Sequence, residues 1–204
     1  MITQSYTLEE FAIPPLELDH MVECLTRATA LRDSETEEHT RRVTTLTLRL
    51  ARAMDVPSKD LVHIHRGAML HDIGKIGIPD FILRKGLSLT RTEWDIMRMH
   101  PVYAYELLSH IPALRPALDI PYCNHEKWDG TGYPRQLQET QIPFSARLFA
   151  VVDVLDALLS NRPYRPAWTV ENVREYILEQ SGKHFDPDAA HIFLKLAIEG
   201  SVTV

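Results

Sequence analysis

An all-α fold, a helical bundle of about eight or nine helices, is what this sequence predicts, and three observations carry the prediction. From Leu16 onward, apolar residues recur at three-to-four spacing in segment after segment, the repeat that gathers them on one face of a helix. Pro57, Pro101, Pro112, Pro143 and Pro187 stand where those segments begin, as expected of a residue tolerated in a helix's first turn and disruptive later. The third observation is size: 204 residues with 45% hydrophobic content can core one such domain and little more.

Taken in order, residues 1–15 are polar and end in Pro14-Pro15, which predicts a linker or N-terminal extension ahead of a domain over residues 16–204. The first helix is expected over Leu16–Leu31. The second, over Glu35–Met54, opens in the polar turn Asp33 to Thr36. Pro57 introduces Ser58–Leu70, and the periodicity resumes at Thr90–Met99 and, behind Pro101, at Val102–Leu108. Pro112 introduces Ala113–His125. The glycine-rich turn Asp129 to Pro134 follows, and then Ser145–Leu159, Thr169–Gln180 and Pro187–Ile198.

Charge and composition narrow the function classes. A net charge of −6 with a pI near 5.9 argues against binding polymeric nucleic acid, while leaving room for a local basic patch facing a small anion. No apolar run approaches the roughly 18 residues of a membrane span. Two distant cysteines, Cys24 and Cys123, fit a reducing cytosol better than a disulfide scaffold, so a cytoplasmic location is expected. Cys123 reads as a buried free thiol.

The stretch HDIGKIGIPD, His71 to Asp80, organises the rest. An apolar helix delivers His71 and Asp72 to its end, Gly74 turns the chain, and Lys75 follows Asp72 by three positions. Neighbouring side chains on a helix diverge by about 100°, so one ion can use both only where the backbone leaves the helix. Imidazole beside carboxylate suits a divalent first-row metal, and a nearby lysine suits a phosphate oxygen. Glu35 and His39, four apart, share a helix face: either part of a metal cluster or a solvated pair. His100, before Pro101, reads as a helix cap pointing toward the bundle axis. Asn124, His125 and Glu126 end a helix. Asp153 lies in the apolar run LFAVVDVLDALL, where an unpaired carboxylate costs several kcal/mol and a metal removes the cost. Asp156, one turn on, is expected to orient a ligand or meet an arginine.

These residues together resemble the HD-GYP domain, a branch of the HD metal-dependent phosphohydrolases. The resemblance spans about Leu31 to Phe193 and rests on RDSETEEH ending at His39, HDIGKIGIPD, His100-Pro101, HEKWDGTGYP from His125, DVLDAL from Asp153, RPYR from Arg162 to Arg165, and FDP from Phe185. It implies an all-helical fold and hydrolysis of cyclic di-GMP to pGpG or GMP by a metal-bridged hydroxide. Two or three divalent ions, iron or manganese, are implied as cofactors. Carried over, His39, His71, Asp72 and Asp153 match the ligands of a first metal, and Asp72, His100, Asn124 and His125 those of a second. Glu35 matches the carboxylate used where a third ion is bound. Lys75, Arg162 and Arg165 match positions that reach substrate phosphates, with Asp72 and Lys75 at the reacting centre.

Tyr133 and Trp128 offer rings to a guanine or, more simply, pack under the loop. Trp94 and Trp168 are expected in the core or at helix contacts. Asn124 departs from the family, which has histidine there; a neutral amide oxygen is a weak donor, expected to cost about 10- to 100-fold in affinity at the second site. Glu139, where many relatives carry glycine, is a second departure with no catalytic consequence attached. The expected partners are cyclic di-GMP, an upstream receiver or sensor domain, a diguanylate cyclase and a second copy in a homodimer. The competing reading is a weak or inactive regulator.

Overall fold

The three-to-four periodicity is realised as ten α-helices among the described residues of the computed structural model, which are 13–33, 37–161 and 166–198. Glu35, Arg162, Arg165 and most of the N-terminal extension lie outside them. In chain order the helices are α1 Pro15–Ala30, α2 Glu37–Ala53, α3 Ser58–Met69, α4 Asp80–Leu83, α5 Arg91–Met97, α6 His100–Ser109, α7 Asp119–Cys123, α8 Phe144–Leu159, α9 Val170–Gln180 and α10 Pro187–Ile198. Tight 3-10 turns cover Ile73–Gly77, Pro112–Ala117 and Glu139–Gln141. No strand occurs among the described residues, where a single isolated bridge joins Ser181 and Phe185.

Several boundaries depart from the sequence expectation for local reasons. Ala113–His125 is not one helix: Pro116 lies inside the 3-10 turn, and α7 resumes only at Asp119. Thr90 caps α5 by accepting from the Glu93 backbone while the Glu93 side chain returns the bond, a capping box. That short helix buries nothing, so Trp94 is exposed rather than a core residue. Trp168 does pack, edge-on against Tyr176 beside the core. His100 is the first residue of α6, one position inside the helix rather than its cap. Short α4 and the turn Ile73–Gly77 carry no clear periodicity, being little more than one turn long.

Two apolar cores meet along α3. Ile64 and Ala68 face the larger one with Val43 and Leu50 of α2, Phe149 and Val152 of α8, Ile177 of α9 and Phe193 of α10. Met69, Leu70 and Ile73 face the smaller one, with Leu18 and Val22 of α1 and Ala104 and Leu108 of α6. His71 and Asp72 therefore sit at the seam, held by apolar anchors on both sides. Burying a leucine or isoleucine is worth about 1.5–3 kcal/mol, so Leu70 and Ile73 fix this turn firmly.

Gly74 acts through proximity. A Cβ there would lie 1.8 Å from the backbone oxygen of His100 and 2.6 Å from the backbone nitrogen of Ala104, and backbone cannot swing aside. Gly77 likewise faces the Tyr103 ring, which a Cβ at that position would approach to 2.6 Å. The absence of a side chain at Gly74 lets α6 cross directly over the His71–Asp72 turn. Gly74→Ala is expected to destabilise the protein by about 3 kcal/mol, at the upper end of overpacking costs. Urea denaturation checks this; an unchanged midpoint would show that the two segments are not in tight contact.

Candidate metal centre

Three elements bring the first group of donors together. α2 supplies His39, the turn that follows α3 supplies His71, and α8 supplies Asp153; one donor atom from each lies within 4.8 Å of the others. His39 and His71 are buried, their ring centroids 5.8 Å apart, and His71 rests on Phe149 at 4.9 Å. His39 Nε2 is 3.5 Å from Asp153 Oδ1. Burial opposes the charge on Asp153, but the adjoining His39 and His71 imidazoles outweigh it and hold the carboxyl below its ordinary range.

The far edges of these rings are fixed. His39 Nδ1 donates to Asp156 Oδ2 at 2.7 Å, and His71 Nδ1 donates to the Ala68 carbonyl at 2.8 Å. Arg42 grips the same Asp156 from Nε at 2.8 Å and Nη2 at 3.0 Å. Asp156 thus both orients a histidine and meets an arginine, the two roles expected for it. Burial again opposes its charge, and the His39 and Arg42 bonds prevail, so its carboxyl is strongly depressed.

Asp72 links this group to a second. Its Oδ2 lies 3.1 Å from His71 Nε2, and its Oδ1 lies 3.8 Å from His100 Nε2. Lys75 Nζ is 2.8 Å from Asp72 Oδ2 and 2.7 Å from Asp33 Oδ2, so the lysine bridges two carboxylates at the edge of the cluster. Asp33 had no part in the sequence expectation beyond a polar turn. Its neighbour Arg32 donates to the Ile78 carbonyl at 3.0 Å and to Asp80 at 2.6 Å, which ties the end of α1 to the segment after the turn. A charged pair flanking a helix end was the available signal.

At the other side, His100 Nδ1 donates to the Met97 carbonyl at 2.8 Å, and His100 Nε2 faces His125 Nε2 at 3.1 Å. Two imidazole nitrogens hold that spacing by sharing either a proton or a cation. Burial keeps both rings neutral: it lowers His100, and it pushes His125 down to about 3 with help from His100. Asn124, at the C-cap of α7, is buried, and among the described residues neither its Oδ1 nor its Nδ2 has a hydrogen-bond partner. Cys123 beside it is buried, and desolvation pushes its thiol up to about 12, which makes it an inert thiol as expected.

The loop after His125 is held by a residue of the HEKWDGTGYP motif that had no role of its own in the sequence expectation. Buried Glu126 accepts from the backbone of Arg135 at 2.7 Å and of Leu137 at 3.0 Å, closing the loop on itself. Tyr133 stacks on His125, centroids 4.9 Å apart at 17°, with the Arg98 guanidinium 5.5 Å from its ring. Desolvation pushes the Tyr133 hydroxyl up to about 12, so it stays protonated. Trp128 packs instead: its backbone donates to His184, and Arg147 lies 5.7 Å from its ring. Glu139 occupies a left-handed conformation, φ 51°, where glycine costs nothing.

The donor set fits a divalent cation. The Nδ1–H groups of His39, His71 and His100 are committed to oxygen acceptors, which leaves each Nε2 lone pair on the cluster side. Imidazole nitrogens with carboxylate oxygens suit first-row divalent metals. The HD domain family model matches residues 23–189, and this chain belongs to that family. It is 41% identical over 184 residues to a cyclic di-GMP phosphodiesterase of Thermotoga maritima, covering 89% of this chain and 50% of that protein. It is 39% identical over 173 residues to 3'3'-cGAMP-specific phosphodiesterase 2 of Vibrio cholerae, covering 84% of this chain and 33% of that one. The chain thus spans half or less of the length of these relatives. Among solved structures, an HDG"Y"P protein from Bdellovibrio bacteriovorus aligns with TM-score 0.66 at 16% identity, over 90% of this chain and 64% of the other, which shows the shared fold. No described helix is long and apolar enough to cross a membrane.

The neutral histidines make stability depend on pH with a definite sign. His125 and His184 have folded values lowered to about 3 and about 4, against 6.5 when free, and burial is the leading cause for both. The unfolded chain therefore binds more protons between those values. Metal-free protein is expected to be fully stabilised by these groups above about pH 6.5 and to lose that stability as pH falls toward 4. Thermal melts across that range check it; a melting temperature that is flat or rises on acidification would contradict the buried neutral state.

Proposed function

We propose that residues 16–204 form an HD-GYP domain that hydrolyses cyclic di-GMP to pGpG or GMP with two or three iron or manganese ions. The observation that carries this reading is Asp72, whose two oxygens face His71 on one side and His100 on the other, at 3.1 and 3.8 Å. One carboxylate spanning two nitrogen clusters is the arrangement a binuclear centre needs. His39, His71, Asp72 and Asp153 would hold one ion, and Asp72, His100, His125 and Asn124 the other. Glu35 is the residue for a third. Such ions supply a water of lowered pKa and neutralise phosphate oxygens during in-line displacement.

The chain's own groups then have separate tasks. Asp156 holds His39 in the tautomer that offers Nε2 inward, with Arg42 keeping that carboxylate charged. Lys75, pinned between Asp33 and Asp72, places a positive charge where a phosphate oxygen would arrive. Arg162 and Arg165 are assigned to the second phosphate, and Tyr133, laid flat over His125, limits the rim where a guanine enters. Purified full chain loaded anaerobically with iron or manganese is expected to cleave cyclic di-GMP at least about a thousandfold faster than Asp72→Ala, the scale on which a bridging metal ligand acts. Turnover equal to that control would sink the assignment.

A second reading is favoured by Asn124: a weak or inactive regulator that binds cyclic di-GMP or a diguanylate cyclase, either alone or behind an upstream receiver or sensor domain. Its amide is buried and unbonded where the family carries histidine. Asn124→His is expected to tighten the second metal equivalent by about 10- to 100-fold. Metal titration of the purified protein reads this directly, and equal stoichiometry and affinity in parent and variant would remove Asn124 from the centre.

A further inference from the structure

We propose that an open depression on the outside of α6 and α7 is a second ligand site, separate from the metal centre, and that it takes a guanine nucleotide. The depression measures about 430 Å³ and is lined by Tyr105, Arg115, Asp119, Tyr122 and Arg135 among others. That volume falls within the range of small-molecule sites, about 300–1,000 Å³. Tyr105 and Tyr122 stack with centroids 4.5 Å apart at 29°, and the Arg135 guanidinium lies 5.5 Å from the Tyr122 ring. Tyr105 is 41% exposed, which leaves part of the residue available to one more planar ring.

The charged groups specify which ring. Arg115 is anchored through Nε to the Ser109 carbonyl at 3.0 Å, and its terminal amino groups have no protein partner among the described residues. A guanidinium held at one edge presents its other donors to a phosphate. Asp119 is the one acidic lining residue, and an acceptor in a basic depression repels a bare anion. It suits an anion that also carries donors: guanine presents its ring N–H and its amino group on one edge, and a carboxylate accepts both, whereas adenine offers no such pair. A stacking ring, a carboxylate and two guanidinium groups together describe a guanine nucleotide.

The site stands apart from the metal cluster. Tyr105 follows His100 by five positions on α6, about 140° round the helix. Tyr122 and Asp119 belong to α7, which ends before Asn124 and His125. The inference goes beyond the proposed hydrolysis and holds with or without it, since none of these five residues belongs to the cluster.

The test uses the purified full chain with metal removed by chelation and GMP as the probe, with AMP and inorganic phosphate compared, all by calorimetry. GMP is expected to bind the chelated parent and Asp72→Ala alike, and AMP and phosphate about tenfold or more weaker. Tyr105→Ala and Arg115→Ala are expected to weaken GMP about tenfold or more, the loss of a stacked ring or a phosphate partner. Arg135→Ala, whose backbone bond to Glu126 is retained, is a third variant, and circular dichroism verifies folding of each. Absence of GMP binding to the chelated parent, binding lost in Asp72→Ala, or binding indifferent to all three variants would overturn the site. Equal affinity for AMP would overturn its assignment to guanine.

Discussion

The cluster depends on the direction of imidazole lone pairs. A ring can face a cation only with the facing nitrogen unprotonated, and that is settled by what the other nitrogen touches. His71 and His100 solve this locally, each donating to the carbonyl three residues back, Ala68 and Met97, at the ends of α3 and α5 where carbonyls are not all committed to the helix. His39 lies within α2, whose carbonyls serve its own ladder. Its acceptor must come from another helix, and Asp156 of α8 provides it. Interlocking α2 with α8 is therefore a condition for the third ring to face inward, beyond the apolar area the two helices bury.

Concentrating carboxylates has an electrostatic cost that the fold offsets one group at a time. Asp33, Asp72, Asp153 and Asp156 gather within one seam, and like charges at such distances destabilise the folded state. Lys75 answers Asp33 and Asp72, and Arg42 answers Asp156. Asp153 has imidazoles rather than a fixed cation as its closest neighbours, so its depressed pKa rests on partners that are themselves neutral or only partly charged. It is the carboxylate a divalent ion would relieve most.

Much of the fold was legible because helices of ten residues or more carry enough periods to declare themselves; α1, α2, α3, α8, α9 and α10 begin and end within about two residues of expectation. The 3-10 turn at Pro112–Ala117 and the short α7 were not separable, since elements of five or six residues show fewer than two periods. At the site, Asp153 was legible as a carboxylate in an apolar helix, and Asp156 by its offset of three. Asp33 and Glu126 were not. Each acts through partners distant in sequence, Lys75 for one and the Arg135 and Leu137 amides for the other, and no periodicity encodes such contacts. Trp94 misled because a tryptophan at helical spacing reads as core, while α5 is too short to bury one.

Asn124 brings packing and metal chemistry to the same point. A buried amide with neither atom bonded costs about 1–3 kcal/mol for each unmet group, and two neutral histidines in the same region cost more to charge than to leave neutral. Under the proposed reading, a cation held by the imidazoles and the amide oxygen would satisfy Oδ1 and the ring nitrogens in one event. Replacing an imidazole by an amide oxygen hardens the donor set. Carbonyl and carboxylate oxygens suit manganese, while nitrogen-rich sets rise in affinity along the series toward copper. The second position would thus discriminate less between metals and follow their supply, so that the first position, with His39 and His71 intact, sets what the centre retains at low metal.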